Sequence, residues 1–137
     1  MRRPQSGQAL VEWAAVSFVL LLFALGLLAV GQVIGEYMAV RSAATQAAFA
    51  AARAPSAGAA QQAGQASAAE AIKGSQVEDF KLTIESGGFQ RGGTLTATAD
   101  GYVSLAAYPI VAQVLGRRIE LKWQAHALIE PYRSRTP

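Results

Sequence analysis

The chain contains no cysteine and a single histidine, His126. A disulfide framework, a thiolate-ligated zinc site and a thiol nucleophile are thereby excluded, as is a multi-histidine metal site within one chain. Charge is scarce as well. Lys, Arg, Asp and Glu make up 15% of the 137 residues, against roughly 25% in a typical soluble domain. The balance of 12 basic against 9 acidic residues gives +3. The basic residues are scattered, so nucleic acid is not expected as a partner. The length allows one domain, or a small domain with an attached element.

The missing charge has one location. No charged residue stands between Glu12 and Glu36, and the only polar side chains from Trp13 to Gly35 are Ser17 and Gln32. As a helix this run is about 35 Å long, enough to cross a hydrocarbon core of roughly 30 Å. It exceeds the apolar region of a cleaved secretory signal, which is about 7–15 residues. The helical pattern continues through Ala39, Ala43, Ala47 and Ala51 instead of closing on a small-x-small cleavage site. Arg2-Arg3 is followed by Pro-Gln-Ser-Gly, which does not fit a twin-arginine export signal. The run predicts a single membrane-spanning helix. Arg2 and Arg3 place its start on the cytoplasmic side and the rest of the chain outside.

Beyond Glu36, Met38, Val40, Ala44 and Phe49 mix with Arg41, Ser42, Thr45 and Gln46. That pattern predicts the same helix continuing into water with one apolar face, ending before Pro55. From Leu10 to Arg53 such a helix is roughly 65 Å long. Gly31-x-x-x-Gly35, with Gly26 and Ala39 near the same face, offers a close-packing stripe. Glycine is also frequent in membrane helices on composition alone.

Glu12 is the peculiar residue. A carboxylate at the start of a span is either solvated at the interface or embedded at a cost of several kcal/mol unless paired. Its setting is Ser6-Gly7-Gln8-Ala9-Leu10-Val11-Glu12-Trp13-Ala14: a short basic leader, a glycine, four uncharged residues, a glutamate, then the apolar run. This arrangement resembles the class III signal of type IV pilins, and its wording is similar to the TadE-like minor pilins of tight-adherence (Tad/Flp) systems. Trp13 stands where that family usually has Phe or Tyr, and its frequent early proline is absent. The likeness covers about the first 55 residues. It implies cleavage after Gly7 by a prepilin peptidase, Gln8 as the new N-terminus, and Glu12 as the acid used in assembly. It further implies assembly with other pilin subunits by an inner-membrane platform and its ATPase, first in the cytoplasmic membrane and then at the cell surface. On physical grounds, cleavage would create an α-amine at Gln8, which a neighbouring subunit's Glu12 could neutralise as both leave lipid. It would also remove Arg2 and Arg3 and leave a side-chain balance near neutral. The rival expectation is an uncleaved single-span protein displaying a small adhesive or sensory domain.

The remainder predicts a small head. Ala54–Gln65 reads as a low-complexity joint whose later part joins a short helix through Lys73, stopped at Gly74. From Phe80 the period changes to two: Phe80, Leu82 and Ile84 alternate with Lys81, Thr83 and Glu85. A glycine-rich loop at 87–93 leads to a second strand over Thr94–Val103, and Pro109 opens a short helix or connection to Leu115. Ile119, Leu121, Trp123, Ala125 and Ala127 define the inner face of a third strand. Three strands with one apolar face need a cover, and the amphipathic half of the long helix supplies it. The expected class is α+β, a lollipop of a long helix on an antiparallel sheet. Its divisions are a leader (1–7), an assembly helix (8–53), a linker with a short helix (54–75) and a head (76–137).

No constellation for catalysis, metal or cofactor stands out. His126 shares the polar face of its strand with Glu120, Lys122 and Gln124, without a paired acid at useful spacing. Glu78 and Asp79 are adjacent in a strand, where neighbours point to opposite faces. The glycine-rich loop lacks the Lys-Ser/Thr of a phosphate-binding loop. Arg117-Arg118 and Arg133/Arg135 read as solvated, and the aromatics Tyr102, Tyr108, Trp123 and Tyr132 as sheet packing.

Overall fold

The structure, a computed structural model, describes residues 6–130. Arg2 and Arg3 of the leader, and Tyr132, Arg133 and Arg135 near the C-terminus, lie outside the described residues. The elements in order are α1 (Ser6–Ala52), α2 (Ala57–Ile72), β1 (Val77–Glu85), β2 (Thr94–Ser104), α3 (Pro109–Leu115) and β3 (Arg118–Leu128). The class is α+β: a long N-terminal apolar helix and a small three-stranded antiparallel sheet in the order β1-β2-β3. With 47 residues α1 is about 70 Å long. It stops before Pro55, whose ring disfavours helical backbone in the preceding residue.

The inner face of the sheet follows from alternation. Leu95, Ala97, Ala99, Gly101 and Val103 of β2 are buried in turn. Leu121, Ala125 and Ala127 of β3 continue that face. Against it packs the second half of α1, through Val40, Ala43, Ala44, Ala47, Ala48 and Ala51, spaced three and four residues apart. Alanine on both surfaces lets the helix lie close to the strands, so this core is built of short side chains. Trp123 of β3 adds the largest contact. Its ring meets Tyr37 edge-on with centroids 5.9 Å apart, and the Arg41 guanidinium stands 4.8 Å over it.

The 54–65 joint differs from expectation. Ser56 caps α2 by accepting the Ala59 amide at 3.2 Å, and the helix runs unbroken to Ile72. Its glycines, Gly58 and Gly64, are accommodated within the helix. Ala60, Gly64 and Ala68 form one buried stripe, and a Cβ at Gly64 would run into the Ile84 side chain. Small residues are thus the condition for α2 to approach α1 and β1. The same helix covers the outer edge of β1. Gln61 Nε2 donates to the Ile84 carbonyl at 3.0 Å and Gln65 Nε2 to the Leu82 carbonyl at 3.2 Å. Two edge acceptors that would otherwise invite another strand are occupied.

Candidate functional site: the assembly helix and its attachment to the head

The first turns of α1 bring Gly7, Gln8 and Glu12 together by helix geometry alone. Residues four apart share a face, and Gln8 Nε2 donates to Glu12 Oε1 at 3.2 Å. All three residues are exposed, and a Cβ at Gly7 would meet nothing within 4 Å. Directly after them the helix is apolar on every side. Leu10, Val11, Trp13, Phe18, Val19 and Phe23 are all more than half exposed. One helix, α1, is long and apolar enough to cross a membrane.

The head attaches to this helix further down than the position of Glu36 implies. Charge patterning suggested that packing begins after Glu36, where polar residues first mark an amphipathic face. In the structure the packed stripe runs through Leu22, Leu25, Ala29 and Val33 before reaching Val40. Ala29, in the second half of the uncharged run, is only 2% exposed. The covering residues come from the β2–β3 connection. Tyr108, Pro109 and Val111 face Leu22 and Leu25, while Leu105, Leu115 and Ile119 face Ala29 and Val33. In a run where every neighbour is also apolar, no period distinguishes such a face in the sequence.

Polar groups at the end of the run are tied to the head too. Gln32 Nε2 donates to Gln76 Oε1 at 3.1 Å, and the Gln76 amide donates to Glu36 Oε2 at 3.0 Å. The lone polar residue in the second half of the uncharged run thereby has a partner in the segment that leads into β1.

Gly31 and Gly35 lie on the opposite side of α1. At about 100° per residue they fall roughly 200° and 240° around the axis from Ala29. Both are exposed, with open space where a Cβ would stand. Within one chain this stripe packs against nothing.

On the solvent face of the sheet the structure corrects the reading of Glu78 and Asp79. A bulge between Glu78 and Lys81, with Asp79 at φ 52°, breaks the strict alternation of β1. Both carboxylates consequently reach one guanidinium. Arg118 Nε lies 3.4 Å from Glu78 Oε2, and Arg118 Nη2 lies 2.5 Å from Asp79 Oδ2. The same guanidinium stacks 4.4 Å from the Tyr102 ring centroid, which joins all three strands across the sheet. The hydrogen bond that Arg118 donates to Asp79 is the main reason that its pKa is raised above its ordinary value. Sequence alone does not reveal this cluster, because it depends on a bulge and on a register 39 residues distant.

His126 Nδ1 lies 3.0 Å from the Thr96 hydroxyl on the outer sheet face, at an exposed position. Among the described residues no group of three His, Cys, Asp or Glu side chains is placed to hold a metal ion. No protein-family model, curated protein or solved structure matches the chain.

Proposed function

We propose that the chain is a pilin-class subunit, similar to the TadE-like minor pilins of tight-adherence systems, without catalysis of its own. A prepilin peptidase removes residues 1–7 by cutting after Gly7. The mature chain waits in the cytoplasmic membrane with its head outside, until an ATPase-driven platform transfers it into a surface filament or its priming or tip complex. The observation that carries this reading is the order of features along α1. An exposed Gly7-Gln8 bond stands one turn before an exposed Glu12, and Glu12 stands directly before a helix whose apolar surface is mostly uncovered. The remaining chain builds a small head on the other half of the same helix, a lollipop shape suited to head-out assembly. Exposed apolar surface of this extent is unstable in water and is covered in lipid or by neighbouring helices. Cleavage supplies the second half of the charge-pairing device. Among the described residues the Gln8 side-chain amide donates to Glu12, whereas the cut chain begins with an ammonium that a neighbour's Glu12 can neutralise in the filament interior.

Intact-mass and N-terminal analysis of the protein recovered from cells with a prepilin peptidase tests this. A mature chain beginning at Gln8 is expected. A chain retaining Met1, or one cut beyond Ala29, overturns the proposal and leaves an uncleaved single-span display protein or an exported head.

A further inference from the structure

The connection between β2 and β3 is unusually apolar for a segment at the surface. It reads Ala106-Ala107-Tyr108-Pro109-Ile110-Val111-Ala112-Gln113-Val114-Leu115-Gly116, with no charged residue before Arg117. Val114 points away from α1 and is 81% exposed, and Ile110 and Leu115, which border the clefts between α3 and α1, are still 52% and 58% exposed. These residues belong to α3, whose inner side lies along Leu22 to Val33 of α1. The exposed apolar surface of α3 is therefore continuous with that of the apolar run itself, where Leu20, Leu21, Leu27, Leu28, Val30 and Ile34 are exposed.

We infer that α3 with its flanking turns is a second membrane contact of this protein, inserted in the outer leaflet beside α1. The inference rests on the membrane-spanning part of the proposed function and not on cleavage or assembly. Three observations support lipid as the occupant. The first is position. Counted from Trp13, the first residue after Glu12, a hydrocarbon core of roughly 30 Å takes up about 20 helical residues and ends near Gln32. Structure packed beside Leu22–Val33 consequently lies in the outer half of that core, up to its headgroup boundary. The second is backbone pairing, which lipid demands and which this segment meets in most places, the Ala107, Ile110 and Val111 amides at the uncapped start of α3 being the exceptions. Pro109 has no amide proton to lose, and the Leu105, Ala106 and Tyr108 amides donate to the Arg117 carbonyl, the Ser104 hydroxyl and the Leu105 carbonyl. The Ala112 and Gly116 amides donate to the Tyr108 and Ala112 carbonyls. The third is charge. Exposed Arg117 follows α3 directly, at the level where lipid phosphates lie, and the half-exposed Tyr108 carries the amphipathic ring favoured at that depth.

The absence of cysteine makes the test direct, because each introduced thiol is the only one. The full chain, as Val114→Cys, Val19→Cys or Gln124→Cys, is labelled with an environment-sensitive fluorophore. It is then reconstituted in vesicles of equal parts phosphatidylcholine and phosphatidylglycerol carrying spin-labelled acyl chains. The Val19→Cys label reports the span and the Gln124→Cys label the outer sheet face. The inference expects the Val114→Cys label to be blue-shifted, quenched by the spin-labelled chains and shielded from iodide. Its depth should be about 5–10 Å below the headgroup boundary, as for an interfacial helix. A Val114→Cys label as wet as that of Gln124→Cys, with Val19→Cys in lipid, overturns the second contact and leaves the span intact. A wet Val19→Cys label overturns both. A Val114→Cys label shielded from iodide but not quenched by lipid, with energy transfer between differently labelled chains, overturns lipid as the occupant in favour of a second copy.

Discussion

At Gly64 a side chain has almost no room, and the residue shows how the head economises on size. An added Cβ would meet the tip of Ile84 and lie 3.4 Å from the Ala47 carbonyl. The tip of an isoleucine can rotate away, whereas the α1 backbone cannot. Gly64→Ala is therefore expected to stay within about 1 kcal/mol of the parent, since the gain in helix propensity of about 1 kcal/mol offsets the crowding. Gly64→Leu should cost about 1–3 kcal/mol or more, because the added atoms force α2 away from α1 and β1. Urea midpoints of the detergent-solubilised chain separate the two. Equal destabilisation by both variants would show that backbone strain, not volume, governs the site. Arg118 illustrates the opposite regime. Its guanidinium holds two carboxylates and an aromatic ring, yet all the partners remain largely in water, so its contribution is screened by salt.

Among the elements, α2 has two tasks: it fills the space beside α1 and it occupies the edge of β1. Replacing both Gln61 and Gln65 by Ala removes two donors to edge carbonyls while leaving the buried stripe of α2 untouched. The double variant is expected to lose about 1 kcal/mol of stability and to associate more readily through the uncovered strand edge. Light scattering and urea midpoints check both effects; a double variant as monodisperse and stable as the parent would sink the edge-cover role. The elements differ in how legible they were. The strands could be read because an apolar inner face imposes a period of two on Phe80–Ile84 and Ile119–Ala127. The helix α2 could be read only in its later part and at its end near Gly74, because Ala, Gly and Gln give almost no contrast between its faces and glycine ordinarily marks a break. The bulge at Glu78–Asp79 is likewise silent in sequence, being set across the ladder where Glu78 pairs with Tyr102 and Lys81 with Asp100. Gly7, Gln8 and Glu12 were legible because one helical turn brings them together. The cover over Ala29 depends on a segment that returns some 80 residues later, and no local pattern announces it.

For the whole molecule, the proposed function makes Glu12 the place where a single charge acts on assembly. Glu12→Ala is expected to insert and to be processed normally, because the apolar run and the Gly7-Gln8 bond are unchanged. It should enter filaments poorly, since a neighbour's α-amine would then be buried without a partner. Glu12→Gln, which keeps shape but not charge, should show the same defect. Sheared-filament yield beside membrane-fraction content measures both, and normal incorporation of either variant would remove charge pairing as the mechanism. The seat of α3 on α1 bears on rotation. A bare span can spin about its long axis in a fluid bilayer at little cost. This helix carries a sidearm that lies alongside Leu22 to Val33, and turning it sweeps that sidearm through its surroundings. Gly31 and Gly35 face away from the sidearm, so an approaching helix finds one open side and one blocked side. The molecule is thus keyed about its axis as well as polar along it, and under the proposed function a growing array of such subunits would inherit a fixed angular setting from each one it admits.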